Sequence, residues 1–252
     1  MQMFVSRLFF TTLFLVSGLH ATFVDNFSKP SIIHTGVLIP DSSVVNLRGG
    51  VVVDYLIKKK LHANTDPGAA HSFWISSLGT MGSATMNIKE WFEISGFFGS
   101  GFTDLHFDLG DIHYFGKKHG QFFWVLGSKL IIFEREGLCF GVDGKITGQS
   151  SSMLFSPAIA HTHFSFFEWQ VAAGLSQQFS IFTPYIGVTF TNAHMYLKPL
   201  PLLGTGKFKL RHREQYGIVF GFTLSSGSYV SFDVEGRLVN EAGVYSSLDL
   251  RF

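Results

Sequence analysis

The chain has 252 residues, with 19 Lys and Arg against 18 Asp and Glu and a formal net charge of +1. That balance excludes a polybasic nucleic-acid binder and an acidic tail protein, and a single Cys excludes an intramolecular disulfide framework. Only 15% of the residues are charged, 46% are hydrophobic and 29 are Phe, which excludes a disordered chain; yet no apolar run reaches the roughly 18–20 residues of a membrane helix.

In chain order, residues 1–21 read as a signal peptide. Arg7 supplies a positive start, 8–16 form a short apolar stretch, and the small residues from Ser17 to Ala21 offer a cleavage site after Ala21. Residues 22–43 are expected to be an N-terminal periplasmic segment, and 44–252 a single all-β domain. Within it, ten amphipathic strands are predicted at 44–57, 72–86, 89–101, 121–133, 137–150, 163–177, 181–194, 213–225, 228–239 and 242–252. In 167–175, Phe167, Trp169, Val171, Ala173 and Leu175 oppose Glu168, Gln170, Ala172 and Gly174. In 229–239, Val230, Phe232, Val234 and Leu238 oppose Ser231, Asp233, Glu235 and Arg237. This is the period of two of a strand.

A soluble sandwich alternates as well. Here the apolar faces carry Phe, Trp and Tyr, and the polar faces mix charges with Gly and Ser, the apolar-out, polar-in pattern of a membrane barrel. The fold class is therefore an antiparallel transmembrane β-barrel of about ten strands, with eight to twelve as bounds. Short connections follow the even-numbered strands and longer ones most odd-numbered strands, notably 62–70, 102–120 and 197–211. This places the short turns and both termini in the periplasm. Residues 104–114 also alternate and are read as a hairpin-like extension of an outer loop. The expected location is the bacterial outer membrane, with membrane lipid and the barrel-assembly machinery as partners. Phe252, a terminal aromatic on the last amphipathic strand, resembles the assembly signal of such proteins.

The inward faces would carry Arg48, Asp54, Glu93, Lys129, Asp143, Lys145, Glu168, Asp233, Glu235, Arg237, Asp249 and Arg251. Two readings stay open. One is a charged pore lining for passive diffusion of ions or small solutes. The other is a paired network that closes the lumen of a structural or adhesive envelope barrel, since buried charges need partners. Barrels of about eight strands are filled by side chains and those of 16–18 are channels, so ten lies near the filled end. No catalytic residue, cofactor or metal is expected. His161 and His163 share a strand face and read as solvated loop histidines. An omptin-like barrel protease is a third reading; 111–113, with Asp111 and His113, is the nearby acid–histidine pairing, and no second acid motif accompanies it. Cys139, near the periplasmic end, is a candidate for a disulfide to another chain. The glycine-rich 204–207 lacks the pattern of a phosphate loop.

Several segments resemble the chlamydial major outer membrane porin family. They are Glu168-Trp169-Gln170 running into Phe182-Thr183-Pro184-Tyr185-Ile186-Gly187-Val188, then 234–241, and the terminal Leu250-Arg251-Phe252. The 45–50 segment with Asp54 and Tyr55, and the 87–93 segment, resemble that family's first strand and first turn. The resemblance implies a porin-type barrel, a homotrimer, passing ions and small solutes. That family is longer in its outer loops and rich in cysteine, where this chain has Cys139 alone.

Overall fold

The computed structural model describes residues 23–29, 45–63, 70–109, 112–156, 160–198, 208–225 and 229–252. Among these it contains eleven β-strands. They are β1 (Val45–Ala63), β2 (Ala70–Ile88), β3 (Phe92–Leu109), β4 (Ile112–Arg135), β5 (Leu138–Ser156), β6 (Ala160–Gln177), β7 (Phe182–Lys198), β8 (Phe208–His212), β9 (Tyr216–Ser225), β10 (Val230–Leu238) and β11 (Glu241–Arg251). All pairings are antiparallel, each strand beside its chain neighbour except at β8. β11 returns to β1, with Arg48 opposite Arg251 and Lys59 opposite Glu241, and closes the ring.

The strands form because each alternates, and the barrel forms because each presents its large apolar residues on the same side. Leu47, Val53, Tyr55, Ile57, Phe98, Leu126, Ile186, Val188, Ile218 and Phe220 are all exposed, while the residues between them are buried. A face this apolar and this exposed has lipid for its solvent. On β1 the outward apolar row runs from Val45 to Ile57. At about 3.3 Å per residue and a tilt of about 40° it rises roughly 30 Å, close to the 25 Å apolar band of outer-membrane barrels. Beyond Ile57 the outward residues are Lys58, Lys60 and His62.

The turns at the inner end are tight. Glu136 (φ 52°) and Gly137 (φ 80°) both lie in the left-handed region, as a two-residue primed hairpin turn requires. Lys89 and Ser180 take positive φ at the equivalent ends of β2 and β6.

Three expectations are corrected. The strand expected at 213–225 is β9, and the connection expected at 197–211 ends in a further short strand, β8. β8 pairs with β7 and with β1, through His194 opposite Arg211 and His62 opposite Arg211; β9 pairs with β7 and β10. The chain breaks between them because β10 and β11 are short and turn back at Val239 and Asn240, level with Lys59. Above that level β8 alone spans from β7 to β1. The wall therefore has ten strands at its inner end and eight at its outer end. Second, the 102–120 connection carries the hairpin-like extension read at 104–114, but as part of the wall and not of a loop: β3 and β4 pair up to Leu109 opposite Ile112, with one register shift between Gly101 and Thr103, extending the barrel outward. Third, residues 23–29 are not periplasmic. They sit inside the barrel, fully buried, because their polar groups complement charges on its inner wall.

The apolar belt yields a prediction. Ile186 lies mid-row on β7 and is 58% exposed to the surround. Ile186→Lys should lower the stability of the barrel in lipid vesicles by about 2–4 kcal/mol, read by urea unfolding, while Ile186→Leu should leave it unchanged.

Candidate functional site

The lumen is the candidate site. All twelve charged residues expected to face inward do so, and none is more than 5% exposed. Four more join them: Asp25 and Lys29 from the N-terminal segment, Lys59 from β1, and Glu241 from β11. The interior is filled in three layers.

The inner layer is built around residues 23–29. The wall there is polarised, with Asp233, Glu235 and Asp249 on β10 and β11 and, on β4 and β5, Lys129 and Lys145, the latter beside Asp143 at 3.5 Å. The segment lies between and presents the opposite charge to each side. Its Val24 and Asp25 amides donate to the two oxygens of Glu235 at 3.0 and 2.7 Å. Lys29 Nζ reaches Asp233 at 2.7 Å and Asp249 at 2.6 Å. On the other side Lys129 donates to the Asn26 carbonyl at 2.7 Å, and Lys145 to the carbonyls of Phe23 and Val24 at 2.7 and 2.8 Å. Asn26 Nδ2 donates to Thr223 Oγ1 at 2.7 Å. Burial alone would push the Asp25 carboxyl up; the ammonium groups of Lys129, Lys29 and Lys145 outweigh it and hold it below the ordinary carboxylate range. Arg48 pairs with Glu93 beside this layer.

Two aromatic rings anchor the segment. Phe23 stacks on Tyr245 with centroids 4.1 Å apart and meets Phe97 edge-on at 4.8 Å. Phe27 lies on a row of three glycines, Gly141 on β5, Gly174 on β6 and Gly187 on β7, which face one another across the strands. A Cβ at Gly174 or Gly187 would strike the Phe27 ring, and one at Gly141 would crowd Phe27 at 3.2 Å. The wall thus has a cross-strand groove shaped to one ring.

The middle layer is a chain of ion pairs crossing the lumen. Asp54 pairs with Arg237, Arg237 with Glu241 at 3.3 Å, Glu241 with Lys59 at 2.9 Å, and Lys59 with Glu168. These residues come from β1, β10, β11 and β6. Lys59 faces inward because a bulge between Leu56 and Lys59 shifts the phase of β1. The outer layer is apolar. Leu61, Phe73, Ile75, Leu105, Phe107, Met153, Phe164, Phe166, Met195, Leu197 and Leu210 form one buried cluster contributed by seven strands. It fills the eight-stranded part of the ring.

Cys139 is 1% exposed, with Sγ 3.9 Å from the Phe27 carbonyl. The thiol faces the lumen under the segment, the position of a small buried thiol rather than of one placed for the candidate disulfide to another chain. His161 and His163 are exposed on the outward face of β6, and no metal-binding cluster is present among the described residues. Asp111 lies outside the described residues, and His113 instead pairs with Asp108 at 2.5 Å on the exposed end of the β3–β4 hairpin. Phe252 donates its amide to the Leu47 carbonyl at 2.9 Å, fixing the chain end against β1.

No family model and no curated protein sequence matches this chain. Solved structures similar to it are outer-membrane barrels. The outer membrane protease OmpT of Escherichia coli is 8% identical over 82% of this chain and 94% of its own, with a TM-score of 0.47. An outer membrane channel of Pseudomonas putida F1 is 10% identical over 83% and 96%, at 0.44. OprG of Pseudomonas aeruginosa is 9% identical over 82% and 95%, at 0.40. The likeness is one of fold.

Two predictions test the packing. Removing one member of a buried ion-paired group strands the others. Lys59→Met should therefore cost about 3–5 kcal/mol in urea unfolding, and adding Glu168→Gln and Glu241→Gln should recover most of it. In a Cys139→Ser background, Ser28→Cys should be protected from thiol reagents, and Gly187→Val, which fills the Phe27 groove, should expose it and raise the labelling rate at least about tenfold.

Proposed function

We propose that this chain is an outer-membrane barrel closed to solutes at rest, serving the cell envelope as a structural barrel that carries its outer hairpins and loops above the membrane. The observation that carries this reading is the filling of the lumen at three successive levels. A passive pore needs a continuous aqueous path lined by its charges. Here the charges expected to line one are spent on each other and on residues 23–29, and the outer third is filled by apolar side chains. Export after cleavage of residues 1–21, and membership of a porin family in line with the resemblance at Glu168–Gln170 and Phe182–Val188, belong to the same reading.

A second reading is a gated channel for small ions. It is favoured by one observation: the inner layer is not part of the wall. Residues 23–29 are held by ion pairs, hydrogen bonds and two rings, and can leave without breaking a strand pairing.

Planar-bilayer recording separates the two. The refolded barrel should give no discrete conductance steps. A variant in which residues 23–29 are replaced by glycine and serine should also stay silent, because the apolar outer layer remains. Steps in the parent protein would overturn the closed reading, and steps only in the replaced variant would establish the gated one.

A further inference from the structure

The charges that face outward are distributed differently from those that face the lumen. On β1, and from β9 into β8, the lipid-facing row changes from apolar to cationic at one level; on β7, which pairs with both β8 and β9, it runs from Phe190 through Asn192, His194 and Tyr196 to Lys198. On β1 the change falls after Ile57, and along β9 into β8 it falls beyond Tyr216, which is 72% exposed and opposite Phe190 of β7. Beyond that level stand Lys58, Lys60, Lys198, Lys209, Arg211 and Arg213, all wholly or partly exposed. Glu214 is the acid among them, 3.5 Å from Lys60. Among the described residues Lys198, Arg211 and Arg213 form no ion pair. Among the described residues, the other outward acids at this height, Asp104 and Asp108, stand two strands away from β1 on β3.

We infer that the β7–β8–β1 panel is a docking surface for phosphate-bearing lipid headgroups of the outer leaflet. Three features support it. The first is height: the cations begin where the apolar row of roughly 30 Å ends, the depth at which headgroups replace acyl chains. The second is charge: among the described residues, six cations and one acid gather on β1, β7, β8 and the 213–215 connection that follows β8, each cation near a charged membrane surface adding to the attraction of anionic lipid. The third is the aromatic flank. Lys58 lies over the Trp74 ring at 5.4 Å, close to the end of the apolar row where Trp and Tyr gather, and Lys209 lies over Tyr196 at 5.4 Å further out. Arg211 is the centre, paired across the sheet with His194 on one side and His62 on the other. Guanidinium groups engage phosphate oxygens through paired donors.

The inference rests on the outer-membrane reading, and the test keeps the two apart. The full chain is refolded into vesicles of neutral phosphatidylcholine, alone or with a small fraction of bisphosphorylated lipid A, of lipid A stripped of phosphate, or with inorganic phosphate in the buffer. The readout is the unfolding midpoint of the heat-modifiable barrel as a function of added lipid. Phosphorylated lipid A should raise the midpoint, with the other two additions inert. Lys209→Gln with Arg211→Gln and Arg213→Gln should weaken the effect roughly tenfold or more, and Arg211→Lys with Arg213→Lys should keep most of it. A neutral variant that responds within twofold of the parent, an equal response to stripped lipid A, or the full response to inorganic phosphate alone would overturn the inference. Where the neutral variant does not insert, the parent decides: its response must weaken as salt rises, and a salt-insensitive response overturns it. A parent that never forms a heat-modifiable barrel in neutral vesicles sinks the outer-membrane reading itself.

Discussion

The arrangement depends on an electrical polarity across the inner half of the lumen. Asp233, Glu235 and Asp249 stand on one wall and Lys129 and Lys145 on the opposite one, too far apart to pair directly. Charges so deeply buried are tolerated only when each is neutralised and hydrogen-bonded. A peptide laid across the gap supplies both signs at once: amide N–H groups and an ammonium toward the acids, carbonyls and a carboxylate toward the lysines. Residues 23–29 do this with Lys29 on one side and Asp25 on the other. The segment is thus part of the lumen's charge balance: without it Asp233 and Asp249 would lose the Lys29 ammonium, and Lys129 and Lys145 the carbonyls they donate to, leaving Lys145 its pair with Asp143.

This explains how the sequence was legible and where it was not. The strands, their inward and outward faces and the twelve inward charges follow from period-two alternation, because each strand is in contact with lipid on one face and the lumen on the other. Lys59 escaped that rule. Counting by twos from Ile57 sends it outward, and only the bulge after Leu56, a backbone event without a residue signature here, turns it in. Glu241 sat between two expected strands, where a charged residue reads as a turn. Asp25 and Lys29 belong to a segment with no periodicity, so nothing local placed them in the barrel. The groove for Phe27 was equally hidden: Gly141, Gly174 and Gly187 are far apart in the chain and become a row only through the registers of β5, β6 and β7.

The narrowing from ten strands to eight follows from one length. β10 and β11 are 9 and 11 residues long, against 19 for β1 and 17 for β7. Their hairpin turns back at Asn240, and the space above it is closed by the five residues of β8. An eight-stranded ring has an interior that side chains fill, and the residues it places there are Leu, Phe, Ile and Met rather than charges. The ion-pair chain from Asp54 to Glu168 lies at the level of the step, where wide and narrow rings meet. His212 of β8 is in contact with that level through the Asn240 carbonyl at 3.2 Å.

β8 therefore holds two opposite chemistries in adjacent residues. Leu210 is fully buried in the apolar cluster, and Arg211, next in the chain, is exposed on the lipid side between His194 and His62. Alternation leaves no freedom between them: sliding β8 by one residue would send Leu210 to the headgroups and Arg211 into the apolar layer, which burial of an unpaired charge forbids. The inner seal and the outer cationic row are fixed by the same short register. Any route through the outer end that required β8 to leave β1 or β7 would dismantle both together, which is why the seal at this end belongs to the wall while the seal at the inner end belongs to a separable segment.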